Sequence, residues 1–242
     1  MVRSIKIFGA NDLRNVLRDS MLLAFVLAPL FGVAVLRLIV PVATSYLDRL
    51  YSFDLTAYYP LLLSLFLLGL PMGFGGLVGF MVLDERDDGT LTALRVTPIS
   101  LSGYASYRIS VAVLLSFAYT LGCVSLTGLM PVALLPNLVP AALLTGLFSP
   151  VIALLLVTLA NNKVEGLALS KAFGIFILGP LAAYFTGPGW QLLFGILPTY
   201  WPSKALWVAS EGGSFWPYIL AGLAYHLLLL ALLLSRFRGK LL

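Results

Sequence analysis

The 242-residue chain is 60% hydrophobic and only 10% charged, with a mean hydropathy of +1.01. Soluble domains carry about 25% charged residues, so this composition excludes a water-soluble enzyme, a disordered chain and a nucleic-acid binder. The net charge of +5, from fifteen Lys and Arg against ten Asp and Glu, acquires meaning only when it is divided between the two sides of a membrane.

A bilayer-spanning helix needs about 20 apolar residues, so the length accommodates about six spans joined by short connections. The expected fold class is an all-α membrane protein, a single transmembrane domain over residues 1–242. Residues 1–19 alternate charges with apolar residues. Leu13, Val16 and Leu17 share one helical face and Arg14 and Arg18 another, which predicts a short helix lying on the inner membrane surface. The first apolar run starts only at Met21, which does not suit a cleaved leader.

Span one is expected over residues 21–40. Arg37 lies near its outer end as an anchor, with Asp48 or Asp54 as partner. Span two, residues 58–83, carries Ser64 and a crowd of small residues: Gly69, Pro71, Gly73, Gly75, Gly76 and Gly79. Their Gly-xxx-Gly spacing predicts close helix packing or a hinge, and Pro71 can kink the span.

Spans three and four are expected over residues 109–130 and 139–160. The lone cysteine, Cys123, lies in the third, so neither an internal disulfide nor a Cys-based zinc site is available. Span five covers 172–187 and includes Tyr184. The stretch 188–214 holds apolar pieces too short to cross and is expected to form an outer re-entrant segment. Trp190, Tyr200, Trp201, Trp207 and Trp216 fit an aromatic belt at that face. Span six, residues 215–234, contains His226, either a neutral side chain bonded to a neighbouring helix or a contact along a substrate route. Ser64, Tyr184 and His226 are the candidate pathway residues.

Twelve basic residues fall on one side: Arg3, Lys6, Arg14, Arg18, Arg86, Arg95, Arg108, Lys163, Lys171, Arg236, Arg238 and Lys240. The other side has three, Arg37, Arg49 and Lys204. The positive-inside rule therefore places both termini in the cytoplasm of a multi-pass cell-membrane protein, which agrees with an even number of spans. The whole positive balance then faces anionic lipid, not nucleic acid.

Four carboxylates occur within five residues on this basic side, at Asp84, Glu85, Asp87 and Asp88. Over 84–100 the local pattern predicts a short helix. Asp87 and Asp88 suit its positive end, Thr90 or Asp88 caps it, Leu91 and Leu94 share a face, and Pro98 ends it. A helix this short needs packing against something else to be stable. The plain alternative is that the acidic residues cap a solvated loop.

The pattern Glu85-Arg86-x-x-Gly89-Thr90-Leu91-x-x-Leu94-x-x-Thr97-Pro98-Ile99-Ser100 resembles the signature of the type 2 permeases of ATP-binding cassette (ABC) exporters. The likeness covers nearly the whole chain: interfacial helix, six spans, signature in the first inner loop and re-entrant segment before the last span. The chain departs from many members in carrying Thr92 after the Gly-Thr-Leu, and Tyr107-Arg108 where a Gly-Lys pair is common. The runs Leu83-Asp84-Glu85-Arg86 and Ala93-Leu94-Arg95-Val96-Thr97-Pro98 look most like drug-efflux permeases, including those assigned to fluoroquinolones.

The resemblance implies two permease subunits, alike or different, above two cytoplasmic ATPase subunits that carry ATP and Mg. The short helix sits in a groove of the ATPase, and ATPase closure shifts spans two and five beside the substrate route. Glu85, Gly89, Thr90, Leu91, Leu94, Arg95 and Pro98 would then be the ATPase-coupling residues. No catalytic residue, metal or cofactor is expected in this chain itself. There is no phosphate loop, no Gly-x-Ser-x-Gly and a single His.

A route lined by hydroxyls, aromatic rings and leucines suits an amphipathic or hydrophobic compound. The direction of transport follows from the resemblance alone. Two other readings are a membrane anchor whose acidic loop docks a cytoplasmic partner, and a secondary transporter. The lack of any carboxylate inside a span argues against the latter.

Overall fold

The computed structural model describes residues 2–90 and 101–241. They form helices α1 (Val2–Arg18), α2 (Ser20–Tyr51), α3 (Tyr59–Asp87), α4 (Leu101–Leu126), α5 (Leu135–Leu159), α6 (Lys163–Ala172), α7 (Ile175–Tyr184), α8 (Pro188–Gln191), α9 (Tyr200–Ser210) and α10 (Trp216–Leu241). No strand occurs among the described residues. Six helical stretches are long and apolar enough to cross a membrane, the fifth being α6 and α7 together.

Helices α3 and α5 form the centre. In their most apolar stretches 67% and 78% of the residues are buried, against 6% for α2 and 22–28% for the other three. Glycine explains how closely these two approach. A Cβ on Gly75 would lie 2.3 Å from the Ser149 carbonyl oxygen, and one on Gly79 would lie 2.9 Å from Leu156. Burying the apolar faces of α3 and α5 against each other, α4 and α10 builds one core cluster that includes Phe80, Leu83, Phe148, Ile152 and Leu156.

Several elements differ from the sequence expectation, each for a local reason. α2 does not end at residue 40. It continues through a π-helical turn, Val35–Ile39, to Tyr51, where Ser52 takes the left-handed conformation (φ 50°). Asp48 therefore lies three turns beyond Arg37, about 16 Å along the axis. Arg37 instead donates from Nη1 to the Leu126 carbonyl (2.8 Å), one of the unpaired carbonyls that end α4. The Asp54 carboxylate accepts from Thr56 and is held below the usual carboxylate range by those bonds.

α3 likewise runs one turn past Leu83, to Asp87, and continues unbroken through Pro71. The expected fifth span, 172–187, begins nine residues earlier and is broken between Ala172 and Ile175. Asn162 caps α6 by accepting from the Glu165 N–H (2.8 Å), and Glu165 accepts from the Asn161 N–H (2.8 Å). This reciprocal arrangement is legible as Asn-x-x-Glu in the sequence.

The aromatic belt is also revised. Trp190 and Trp216 are exposed, but Tyr200 and Trp207 are buried, because α9 is inserted among α3, α5 and α10 instead of lying at a surface. Thr199 Oγ1 donates to the Phe176 carbonyl (2.6 Å) and Trp201 Nε1 to the Gly195 carbonyl (3.0 Å), fixing the stretch between α7 and α9.

Candidate functional site

Charged residues of α1, of the start of α2, of the end of α3 and of the starts of α4 and α6 gather at one end of the bundle. There Arg108, on the first turns of α4, is 4% exposed and binds two carboxylates from other helices. Its Nη1 lies 2.8 Å from Asp12 of α1, and its Nη2 bonds Glu85 of α3. Tyr104 Oη donates to the other Glu85 oxygen, and Tyr107 Oη donates to Asp12 (2.7 Å). Tyr104, Tyr107 and Arg108 share a face through their i, i+3, i+4 spacing, so one helix turn supplies a cation and two phenols. Desolvating a charge is unfavourable unless it is paired and hydrogen-bonded, and here both carboxylates meet that condition through the same guanidinium.

A second centre lies beside it. Lys163, the first residue of α6, places Nζ 2.9 Å from Asp19 at the start of α2 and 2.9 Å from Asp84 of α3. Its backbone N–H donates to Asp87 (3.0 Å). Asp19 also caps α2, accepting from Met21 (2.8 Å) and Leu22 (3.1 Å). The Lys163 ammonium, helped by those two N–H groups, holds the Asp19 carboxyl below the usual range against the opposing effect of burial. Arg86 reaches the C-terminal carbonyls of α5, Ala160 (2.8 Å) and Val157 (2.9 Å).

The acidic run that stands out in the sequence is thus largely engaged within the chain. Asp84, Glu85 and Asp87 occupy the last turn of α3, where carboxylates oppose the helix dipole, and Arg108 and Lys163 offset that effect. Gly89 has φ +70° and closes the helix in the left-handed conformation, with its N–H on the Arg86 carbonyl (3.0 Å). Thr90 is exposed just beyond it. Leu91, Leu94, Arg95 and Pro98 lie outside the described residues.

The span-two glycines divide into two sets. Gly75 and Gly79 face α5. Gly69, Gly73 and Gly76 face an apolar cavity of about 550 Å³, where a Cβ on Gly69 would meet nothing within 4 Å. Phe25, Phe66, Phe80 and Phe173 line the same cavity, which lies between α2, α3 and the start of the fifth span. A polar cavity of about 600 Å³, bordered by Arg18, Asp19, Asp84, Asp88 and Lys163, opens at the charged end between the same elements.

Ser64, Tyr184 and His226 are not brought together, and none lines either cavity. Ser64 is buried and bonds its own helix at the Leu61 carbonyl (2.8 Å). Tyr184 donates to the Ala57 carbonyl (2.8 Å) at the far end. His226 is fully buried with Nδ1 against the Gly222 carbonyl (2.7 Å) of its own helix, not a neighbour's, and edge-on to Phe148. Among the described residues no group of three His, Cys, Asp or Glu side chains could hold a metal ion. The sequence reading missed Asp12, Asp19, Tyr104, Tyr107 and Lys163 as partners. The Tyr-x-x-Tyr-Arg spacing was the available signal.

A multi-pass helical bundle, pinned at one end by ionic joints and holding an apolar cavity among three of its helices, has the form of a membrane transport subunit. The chain belongs to the family described as fluoroquinolones export permease protein Rv2686c-like, whose model matches residues 12–234. Two relatives are each 42% identical over 240 residues, covering 98% of this chain and 95% of theirs. They are the fluoroquinolones export permease proteins MT2760 and Rv2686c of Mycobacterium tuberculosis, from strains CDC 1551 / Oshkosh and H37Rv respectively. No solved structure matches the chain.

Proposed function

We propose that this permease is the membrane subunit of an ATP-driven ABC exporter. It moves an amphipathic or hydrophobic compound, of the fluoroquinolone kind named for its relatives, out of the cytoplasm or the inner leaflet. It works as a pair with a second permease subunit, the same or related, above two separate ATPase subunits that bind ATP and Mg. Both termini face the cytoplasm, residues 84–100 form the coupling segment, and residues 188–214 form an outer re-entrant segment.

One observation carries this reading. The end of α3, where the signature segment begins, is locked through Glu85 to Arg108 of α4 and through it to Asp12 of α1. A push on the segment would pass into α3 as a rigid body, and α3 forms the glycine wall of the cavity. On this reading Gly89, Thr90, Leu91, Leu94, Arg95 and Pro98 meet the ATPase. Glu85 is a positioning residue that transmits the push without touching the partner. Gly69, Gly73 and Gly76 border the route, while Gly75 and Gly79 serve packing.

The test is reconstitution with the partner ATPase in liposomes. Leu94→Asp abolishes substrate-stimulated ATP hydrolysis because it removes the docking contact. Glu85→Gln leaves the ATPase bound but lowers stimulated hydrolysis and transport together. ATP-dependent transport that survives Leu94→Asp unchanged would reject the assignment.

A further inference from the structure

The polar cavity and the apolar cavity are stacked between the same helices. α2 and α3 are consecutive and run antiparallel, so their residues meet in successive rungs. The first rung is Asp19 and Asp84, bridged by Lys163 of α6 at 2.9 Å on each side. Leu22 and Met81 follow and border the polar cavity. One turn deeper Phe25 and Phe80 stack, with ring centroids 6.1 Å apart and planes 20° apart, and border the apolar cavity. Below the Lys163 clasp, the Leu22–Met81 and Phe25–Phe80 rungs therefore separate a space open to charge from one lined by aromatic rings and glycine.

The clasp and the aromatic rung are built to open. Lys163, Asp19 and Asp84 keep 32%, 29% and 33% of their side-chain surface exposed, and such water-reached pairs are weak and exchange readily. The Phe25 ring rests on glycine backbone, since a Cβ on Gly73 or Gly76 would come within 3.8 or 3.5 Å of it. The ring is only partly buried, at the edge of the main core cluster. The helix that carries Asp19 and Phe25 is also the least embedded of the six, with 6% of its apolar stretch buried. Polar contacts hold it at Asp19, to Lys163, and at Arg37, inside the π-helical turn, to the Leu126 carbonyl, with Pro29 between them. Pro29 and that turn interrupt the regular backbone ladder, which is where helices bend.

We propose that the Lys163 clasp and the Phe25–Phe80 stack are the closure between these two cavities. Release of the clasp lets α2 move away from α3, joining them into one passage from the charged end to the apolar cavity. Lys163 is then a positioning residue, controlling access without contacting what lies in the cavity. The Arg108 centre does not open with it, because its charges are buried and separating them would strand a guanidinium. The closure gives the transport reading its entry step. Its test needs neither ATPase nor transport, so the two stand or fall separately.

The experiment follows cysteine accessibility in the full chain, in lipid nanodiscs. Cys123, the sole native cysteine, is replaced by Ser, and single cysteines are introduced as Met72→Cys in the apolar cavity or Asp88→Cys in the polar one. Labelling by a charged, membrane-impermeant maleimide is timed. Loss of two exposed pairs shifts an opening equilibrium by about five- to tenfold, so Lys163→Met accelerates labelling at position 72 by that factor, leaving position 88 unchanged. Lys163→Arg restores the slow rate, and Phe25→Ala accelerates labelling with the clasp intact. Asp19→Asn, which keeps the helix cap's shape, gives a smaller acceleration and stands in where Lys163→Met does not fold. A rate at position 72 that stays within about twofold in Lys163→Met or Asp19→Asn, with position 88 reacting normally, overturns the proposal.

Discussion

Arg108 and Lys163 each hold two carboxylates drawn from different helices, and both centres use α3. They differ in solvent. Arg108 is 4% exposed and its partners 13% and 16%, whereas Lys163 and its partners keep about a third of their surface. Arg108 also has phenol groups on both of its carboxylates, from Tyr104 and Tyr107, and both rings lie within 6 Å of its guanidinium. Identical charge counts therefore give two mechanical elements. One is a joint that keeps α1, α3 and α4 together. The other is a clasp that water can compete for, between α2, α3 and α6.

Arg108→Ala breaks the comparison most severely. It leaves Asp12 and Glu85, largely withdrawn from solvent, without a countercharge, and the expected loss is about 3–5 kcal/mol, read as thermal unfolding of the detergent-solubilised chain. A loss no larger than that of Lys163→Met would show that burial does not separate the two centres.

The glycine faces of α3 sharpen the contrast between the fixed and movable sides of the same helix. Gly75→Ala pushes a methyl group towards the Ser149 carbonyl oxygen, 2.3 Å from the ideal Cβ position, and costs about 1–3 kcal/mol by overpacking. Gly69→Ala enters open space and is neutral or gains up to about 1 kcal/mol of helix propensity. The same melting assay separates them, and equal destabilisation would contradict the two-faced assignment.

Lys163→Met has a small expected effect on stability, about 1 kcal/mol, because its pairs are wet. Its pH dependence carries a definite sign. Asp19 has a depressed pKa, so its contribution is complete above the ordinary carboxylate range and fades as pH falls through the folded value, below about pH 4. The melting difference between the native chain and Asp19→Asn is present at neutral pH and closes in that acidic window. A difference that persists unchanged there would mean that Asp19 acts through its cap geometry and not its charge.

Much of the architecture was readable from the chain. Six apolar stretches, the polar segment after the second and the short pieces near Trp190 and Ala205 all follow from where hydrophobic runs begin and end. Helix ends were less legible. Asp84 to Asp87 read as the approach to a separate short helix, because four charges end an apolar run, yet they continue α3 by one turn. Arg37 was assigned a carboxylate and found a carbonyl, because pairing by opposite charge ignores the unpaired acceptors at helix termini.

The sequence by itself determined that this is a multi-pass helical membrane protein and where its informative segment lies, because hydropathy, charge asymmetry and motif spacing are local properties of the chain. Tertiary structure alone decided which side chains act together. Asp12 and Arg108 are 96 residues apart, Asp19 and Lys163 are 144 apart, and no local period encodes such pairs. It also decided that five glycines on one helix serve two opposite faces, since close packing and open cavity demand the same small residue. Burial then set the difference between joint and clasp, because the strength of an ion pair depends on the solvent around it, and solvent access is created only when the helices pack.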